Sequence, residues 1–391
     1  MRIGDQEYNR LRVLKALRRA EPICRTDLAR QSALTGGTIT EISRDLVRRG
    51  LVIEEKSVSG KRGRPRVDLR LNPADHYALG AFIGAYGELE CEIVNLKGEQ
   101  VFEASREMAS TVDLRAMSAQ VATLIDDVIA SAPGRKHEIA RVGVALPAVV
   151  DSRGGMVHWL QTSDQRPTPV ADIISTALGL PVTIDNNTNM LARAEHWFGT
   201  DDDPDDFTLL NLGLGISAAR FVQGTLMAGA HGLNSELGHA KVMAEGGLPC
   251  VCGASGCLDA YCSVSGLARQ LCGITGTVMP EFHGMNGLLS DFAGQAREGR
   301  EDIRAIFDRA ARMLGVAMAS HVNGFDPGRI VLMCEHPDLP DLLAPSFHAA
   351  LDANCLPPFR SITRIEFRRY DQDFFRKGAA AMVMEQIYRE D

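Results

Sequence analysis

The chain has 391 residues, 45% of them hydrophobic and 24% charged, which suits two to three globular domains and excludes a disordered polymer. Its apolar runs, such as Gly143 to Val150, are far shorter than the ~20 residues that span a bilayer, and its first residues lack the apolar core of a secretory signal, so a cytoplasmic protein with no membrane partner is expected. The formal charge of −8 argues alone against a nucleic-acid partner, but residues 1–75 carry 17 Lys and Arg against 10 Asp and Glu, a net of +7, which leaves −15 on residues 76–391.

In the basic head, Leu11, Val13, Leu14 and Leu17 recur at helical spacing, which predicts a helix over 9–20 that ends at Pro22. A short helix is expected from an N-cap at Thr26 to about Ala33. The turn Leu34-Thr35-Gly36-Gly37-Thr38 then leads into a third helix that runs to Arg49, with Ile39, Ile42 and Leu46 inward and Gly50 as its stop. A generic three-helix bundle would show the same pattern. Two features favour a helix-turn-helix: Thr35, Thr38, Thr40, Ser43 and Arg44 supply groups suited to bases and phosphates, and two strands follow, Leu51–Glu55 and Val67–Leu71. Between these strands lies Ser59-Gly60-Lys61-Arg62-Gly63-Arg64-Pro65-Arg66, a basic wing. Pro65 forbids helix there and Gly63 permits close approach, which suits insertion of Arg64 into a narrow minor groove, with Lys61, Arg62 and Arg66 beside it.

The acidic body reads as strands at 77–84, 89–96 and 100–106, a helix over 114–131 and a buried strand over 141–150. A helix over 170–178, a strand over 182–186, a helix over 189–198 and a hairpin over 207–223 follow. Three strands, helix, strand, helix, strand is the order of an actin-like (ribonuclease H-like) lobe, and a second lobe takes the rest, with a long helix over 303–325 and a strand over 329–333. The expected fold class is therefore α/β, a winged helix-turn-helix over 1–75 joined to a two-lobed body. The lobes are placed at 76–188, completed by the C-terminal helix 376–391, and at 189–375.

Nine cysteines are present, and four crowd one segment: Cys250, Cys252, Cys257 and Cys262. With Gly238-His239 just before them, His239, Cys250, Cys252 and Cys257 are the ligand types of a closed, structural zinc site, with Cys262 in place of His239 as the competing set.

The segment Gly229-Ala230-His231-Gly232-Leu233-Asn234-Ser235-Glu236-Leu237-Gly238-His239, with the cysteines and Cys257-Leu258-Asp259, resembles the signature of the ROK family of repressors and sugar kinases. The likeness extends over nearly the whole chain, the head resembling that of the repressor branch. It implies that Asn186, Asn187, Glu236, His239 and Asp259 hold sugar hydroxyls. The residue types agree with this, because carboxylates and amides bind vicinal hydroxyls in pairs. The kinase pattern is broken in several places. Where a ROK kinase resembles Asp-x-Gly-Gly-Thr, this chain has Phe82-Ile83-Gly84-Ala85-Tyr86. The second phosphate turn reads Gly213-Leu214-Gly215, and the family's Gly-Gly near the C-terminus is replaced in Ile330-Val331-Leu332-Met333-Cys334-Glu335. At the position of the catalytic base stands Asn187, an amide that cannot accept a proton at neutral pH.

The resemblance and the head together lead to the expectation of a sugar-responsive, kinase-inactive repressor of carbohydrate-use genes that binds near-palindromic operator DNA as a homodimer or homotetramer. The alternatives are a sugar kinase with an appended head and a repressor controlled by a sequestering protein partner.

Overall fold

In the computed structural model the structure describes residues 5–56, 67–74, 76–84, 87–109, 113–132, 139–160, 166–199, 205–233, 236–281, 284–369 and 373–389. The head begins with α1 (Asp5–Ala20), β1 (Ile23–Cys24), α2 (Arg25–Ser32) and α3 (Gly36–Arg48), followed by β2 (Val52–Lys56) and β3 (Val67–Leu71). Thr35 caps α3, its hydroxyl accepting the Thr38 N–H, and Cys24, not Thr26, stands at the N-cap of α2. The strands pair in the order β1-β3-β2; the two-residue β1 is too short to leave a period in the sequence. Leu14, Leu17, Leu28, Ile39, Leu46 and Leu69 belong to a core that runs on into Ala78, Val94, Trp197, Ala380 and Tyr388 of the body.

The first lobe is built from β4 (Tyr77–Ile83), β5 (Glu88–Asn95), β6 (Gln100–Glu107), α4 (Leu114–Ser131), β7 (Ile139–Leu146), β8 (Val149–Asp151), β9 (Met156–Trp159), α5 (Val170–Leu178) and β10 (Val182–Asn186). The strand expected over 141–150 is two strands, because Pro147 has no N–H to continue the ladder; β8 instead forms a hairpin with β9. Helix α6 (Asn187–Phe198) leads from the first lobe to the second, which holds β11 (Phe207–Leu212), β12 (Ile216–Val222), β13 (Thr225–Leu226), α7 (Asp259–Cys262), α8 (Val264–Thr275), α9 (Met285–Arg297), α10 (Glu301–Phe325), β14 (Arg329–Cys334), α11 (Leu339–Asn354), α12 (Pro357–Arg360) and β15 (Arg364–Arg369). Helix α6 starts at Asn187 because the Asn186 side chain accepts the Thr188 N–H and caps it. The two five-stranded sheets, β6-β5-β4-β7-β10 and β13-β12-β11-β14-β15, share one topology: three antiparallel strands, then two parallel ones beside the first. Among the described residues no helix is long and apolar enough to cross a membrane.

The last helix, α13 (Asp373–Arg389), returns to the first lobe and lies across β4 and β7. Gly80 and Gly143, opposite one another on these strands, permit this: a Cβ on Gly80 would fall 2.6 Å from Ala380 N and one on Gly143 2.6 Å from Ala379 O. The far end of α13 holds the head. Arg49 donates to Ile387 O at 2.8 Å and to Tyr388 O at 3.3 Å, and Arg10 reaches Tyr388 O at 3.4 Å. These guanidinium groups meet carbonyls that the end of a helix leaves without intrahelical partners, where the helix dipole favours a cation. Arg18 lies over the Phe198 ring, 3.9 Å from its centroid, and Lys15 Nζ bridges Asp205 Oδ1 (2.5 Å) and His196 Nε2 (2.9 Å). The head thus touches α6, α13 and the start of the second lobe at once.

Candidate functional site

The outward side of α3 carries Thr35, Thr38, Thr40 and Arg44, all exposed or half-buried. Ser43 departs from the sequence expectation. It lies fully buried on the inner side of the helix, and its hydroxyl accepts from Arg25 Nε at 2.8 Å, so it props Arg25 and cannot reach a base. Arg25 also pairs with Glu54, and Arg25, Thr40, Arg44, Val47 and Glu54 line a groove beside α3. Arg25 carried no helical-periodicity signal, since it sits at the first turn of a short helix. Lys61, Arg62, Arg64 and Arg66 lie outside the described residues.

His239, Cys250, Cys252 and Cys257 converge, their ligating atoms all within 4.8 Å of one another. Gly256 makes the doubling-back possible, at φ +79° and with no room for a Cβ against the Met243 backbone. Cys252 Sγ lies 3.7 Å from Cys257 Sγ, and Cys250 Sγ 3.5 Å from His239 Nδ1. A tetrahedral zinc with Zn–S bonds of about 2.3 Å holds its ligand atoms about 3.8 Å apart, so these spacings fit the ion. Cys262 is excluded from the set: it is buried in the lobe core and its thiol donates to Ala310 O at 3.2 Å.

The remaining expected residues lie between the lobes. Asn186 is buried, and its amide also donates to Ala148 O at 2.8 Å, so its side chain is engaged in holding α6 to the β7–β8 connection. Asn187 donates to Ile83 O at 3.4 Å and leaves its buried Oδ1 without a hydrogen-bond donor. An unmet buried acceptor carries a desolvation penalty that a ligand hydroxyl relieves. From the second lobe come Glu236, His239 and Asp259. Asp259 Oδ1 accepts the Ile216 N–H at 2.8 Å. Burial pushes the Glu236 carboxyl up to about 7, with the Asp259 charge adding to it, and burial raises Asp259 as well. The halves meet where the Thr188 and Ser217 hydroxyls are hydrogen-bonded and where the Trp159 ring stands edge-on to His239, centroids 6.5 Å apart. Trp159 escaped the sequence reading because β9 is only four residues long.

A family model described as "ROK family" matches residues 84–386, and one described as "Winged helix-turn-helix DNA-binding" matches residues 6–53. The chain belongs to the ROK family. Among curated ROK relatives, the xylose repressor of Caldicellulosiruptor bescii is 25% identical over 332 residues, 84% of this chain and 83% of that protein. The DNA-binding transcriptional dual regulator NagC of Escherichia coli K12 is 23% identical over 367 residues, 91% of this chain and 87% of NagC. A solved ROK family transcriptional regulator, described as a homologue of the E. coli Mlc protein, superimposes with a TM-score of 0.80 at 25% identity, covering 98% of this chain and 96% of that one. A ROK glucokinase from Streptomyces griseus superimposes at 0.61 with 22% identity, over 78% of this chain and 98% of the kinase, a likeness of fold. The body is thus the actin-like fold shared by ROK repressors and sugar kinases. At the position where the ROK kinase pattern has an acid, Phe82 is buried and stacks on Phe375 of α13, ring centroids 4.3 Å apart, in an apolar cluster with Met190 and Met382. Ala85 and Tyr86 of the same segment lie outside the described residues.

Proposed function

We propose that this chain is a sugar-responsive transcriptional repressor of carbohydrate-use genes that acts in the cytoplasm and performs no phosphoryl transfer. The head, residues 1–75, binds operator DNA through Thr35, Thr38, Thr40 and Arg44 of α3 and through Lys61, Arg62, Arg64 and Arg66 of the wing. The body, divided at 188/189 with the C-terminal helix completing the first lobe, takes a small sugar on Asn187, Glu236, His239 and Asp259, with Asn186 shaping the first turn of α6. The observation that carries this reading is the fusion of a winged head to a ROK body, with α1 fastened to both helices that adjoin the two lobes. Sugar closing the cleft shifts α6 and Asp205 against α13, and the grip of Lys15 and Arg49 passes that shift to the head. In a homodimer or homotetramer this changes the distance between paired heads, which read near-palindromic half-sites one or two helical turns apart.

His239, Cys250, Cys252 and Cys257 would hold a zinc ion, which with four protein ligands supplies rigidity and no open position for chemistry. His239 then faces the ion with Nδ1 and leaves Nε2 for a sugar hydroxyl.

Phosphoryl transfer lacks its base at Asn187, and the apolar Phe82–Phe375 stack stands in place of an acidic group. Asn187→Asp is therefore expected to show no sugar-dependent ATP turnover; measurable turnover would overturn the assignment. Footprinting of the chain's own promoter region is expected to show protection of a near-palindrome that a sugar modulates. Arg44→Ala should weaken that binding by about 1–3 kcal/mol and leave sugar binding intact. Absence of any palindromic protection would contradict the proposal.

A further inference from the structure

Strands β11 and β14 are parallel neighbours, in register from Thr208 opposite Ile330 to Leu212 opposite Cys334, so the chain leaves both at the same carboxyl edge of the second sheet. In open α/β sheets that edge is where ligands are held. After β11 comes the turn Gly213-Leu214-Gly215, and after β14 comes Glu335. The Glu335 N–H donates to Leu212 O at 3.0 Å, which seats the residue beside the turn, and its Oε2 accepts the Leu214 N–H at 3.0 Å. A Cβ on Gly213 would fall 2.7 Å from the same Oε2, so the glycine leaves the space that the carboxylate occupies. Just past the turn, the Ile216 N–H donates to a second carboxylate, that of Asp259, whose charge acts on Glu236. Backbone N–H groups of a glycine-rich turn at a strand's carboxyl end make a seat for an anion. Here a side chain of the protein has taken it.

We propose that Glu335 sets the ligand class of the cleft: its carboxylate holds the anion-accepting turn, so the cleft takes a neutral, unphosphorylated sugar and rejects the phosphate ester of that sugar. This rests on the reading that the cleft binds a sugar. A phosphate brought to the turn finds the Leu214 donor already bonded and meets the charges of Glu335 and Asp259. A neutral sugar brings no charge to the turn and needs no donor from it.

The test is calorimetric titration of the full chain, wild type, Glu335→Ala and Glu335→Gln. The probes are a panel of aldopentoses and aldohexoses, the 5- or 6-phosphate ester of each, and inorganic tripolyphosphate. Wild type is expected to bind a free sugar at least about tenfold more tightly than its ester, because one like-charge contact in a partly solvated site costs that much or more. It should not bind tripolyphosphate. Glu335→Ala should narrow the ratio by about tenfold, gain tripolyphosphate binding and keep its free-sugar Kd within about threefold. Glu335→Gln, which keeps the shape and removes the charge, should move the ratio in the same direction. Equal binding of sugar and ester by wild type, or an unchanged ratio in both variants, would overturn the proposal. If no sugar binds any form, the sugar reading fails. The tripolyphosphate arm still decides Glu335: a gain in either variant supports it, and no gain in both overturns it.

Discussion

Cys252→Ser is expected to abolish metal binding and to give the largest loss of stability of any exposed substitution in the chain. Cys252 lies at the surface, so serine forfeits no buried packing, and the variant isolates the sulfur's role as a ligand. Apparent binding free energies of structural zinc in small peptides are about 10–16 kcal/mol, so even a fraction of that felt by the second lobe is large. The loop it would hold carries His239 and is tied by the Leu258 N–H to Ala240 O, immediately beside Asp259. Loss of the ion should therefore lower the melting temperature by more than about 5 °C, equivalent to roughly 2 kcal/mol for a lobe of this size. It should also weaken sugar binding. Metal analysis expects one zinc per wild-type chain and none in the variant. Unchanged metal content and melting temperature in Cys252→Ser would refute the ligand set.

Glu195→Ala should destabilise the body by about 3–5 kcal/mol, the range found when one partner of a buried ion pair is removed and the other is left behind. Glu195 is wholly buried on α6. Its carboxylate accepts from Arg329 Nη1 at 2.9 Å and from Arg368 Nη1 at 2.9 Å, and Arg329 is itself 1% exposed. Arg329 opens β14 and Arg368 lies in β15, so the glutamate binds the helix between the lobes to the sheet of the second. The alanine variant leaves two guanidinium groups facing an empty site, one of them in the interior. Urea unfolding measures the loss, and a change below about 1 kcal/mol would show that the cluster is solvated. Because α6 also carries Asn187 at one end and His196 near the other, the variant is further expected to uncouple sugar binding from DNA release.

A contrasting ion pair joins the head to the body. Hydrogen bonding from His196 and the charge of Lys15 hold the Asp205 carboxyl well below the usual carboxylate range, while burial keeps the His196 imidazole below its ordinary value. Asp205 is partly exposed, with a side chain at 38%, so this contact gives direction more than stability.

Much of the head and of the metal cluster was legible from the chain alone because both are local. Periodic Leu and Ile act on residues a few positions away, and three of the four clustered ligands lie within eight residues of one another. Faces were read less well. Ser43 and Arg44 are neighbours in sequence, yet one is buried and the other exposed, and only the packing of α3 against the rest of the head decides which way each points. Asn186 was read as a ligand from its motif, and the structure adds that it caps α6.

The division into a basic head and an acidic body, the winged helix-turn-helix and the strand–helix order of the first lobe are properties of composition, period and spacing, and the sequence by itself determined them; the departures from the kinase motifs are visible only against the family that the chain resembles. Tertiary structure decided three other things. Gly80 and Gly143 let α13 lie on the first sheet and carry the head. Lys15 reaches Asp205 across 190 positions, and Glu335 reaches the Leu214 N–H across 121. These contacts join residues whose separation is settled by how closely backbones approach, and no local pattern of side chains encodes that distance.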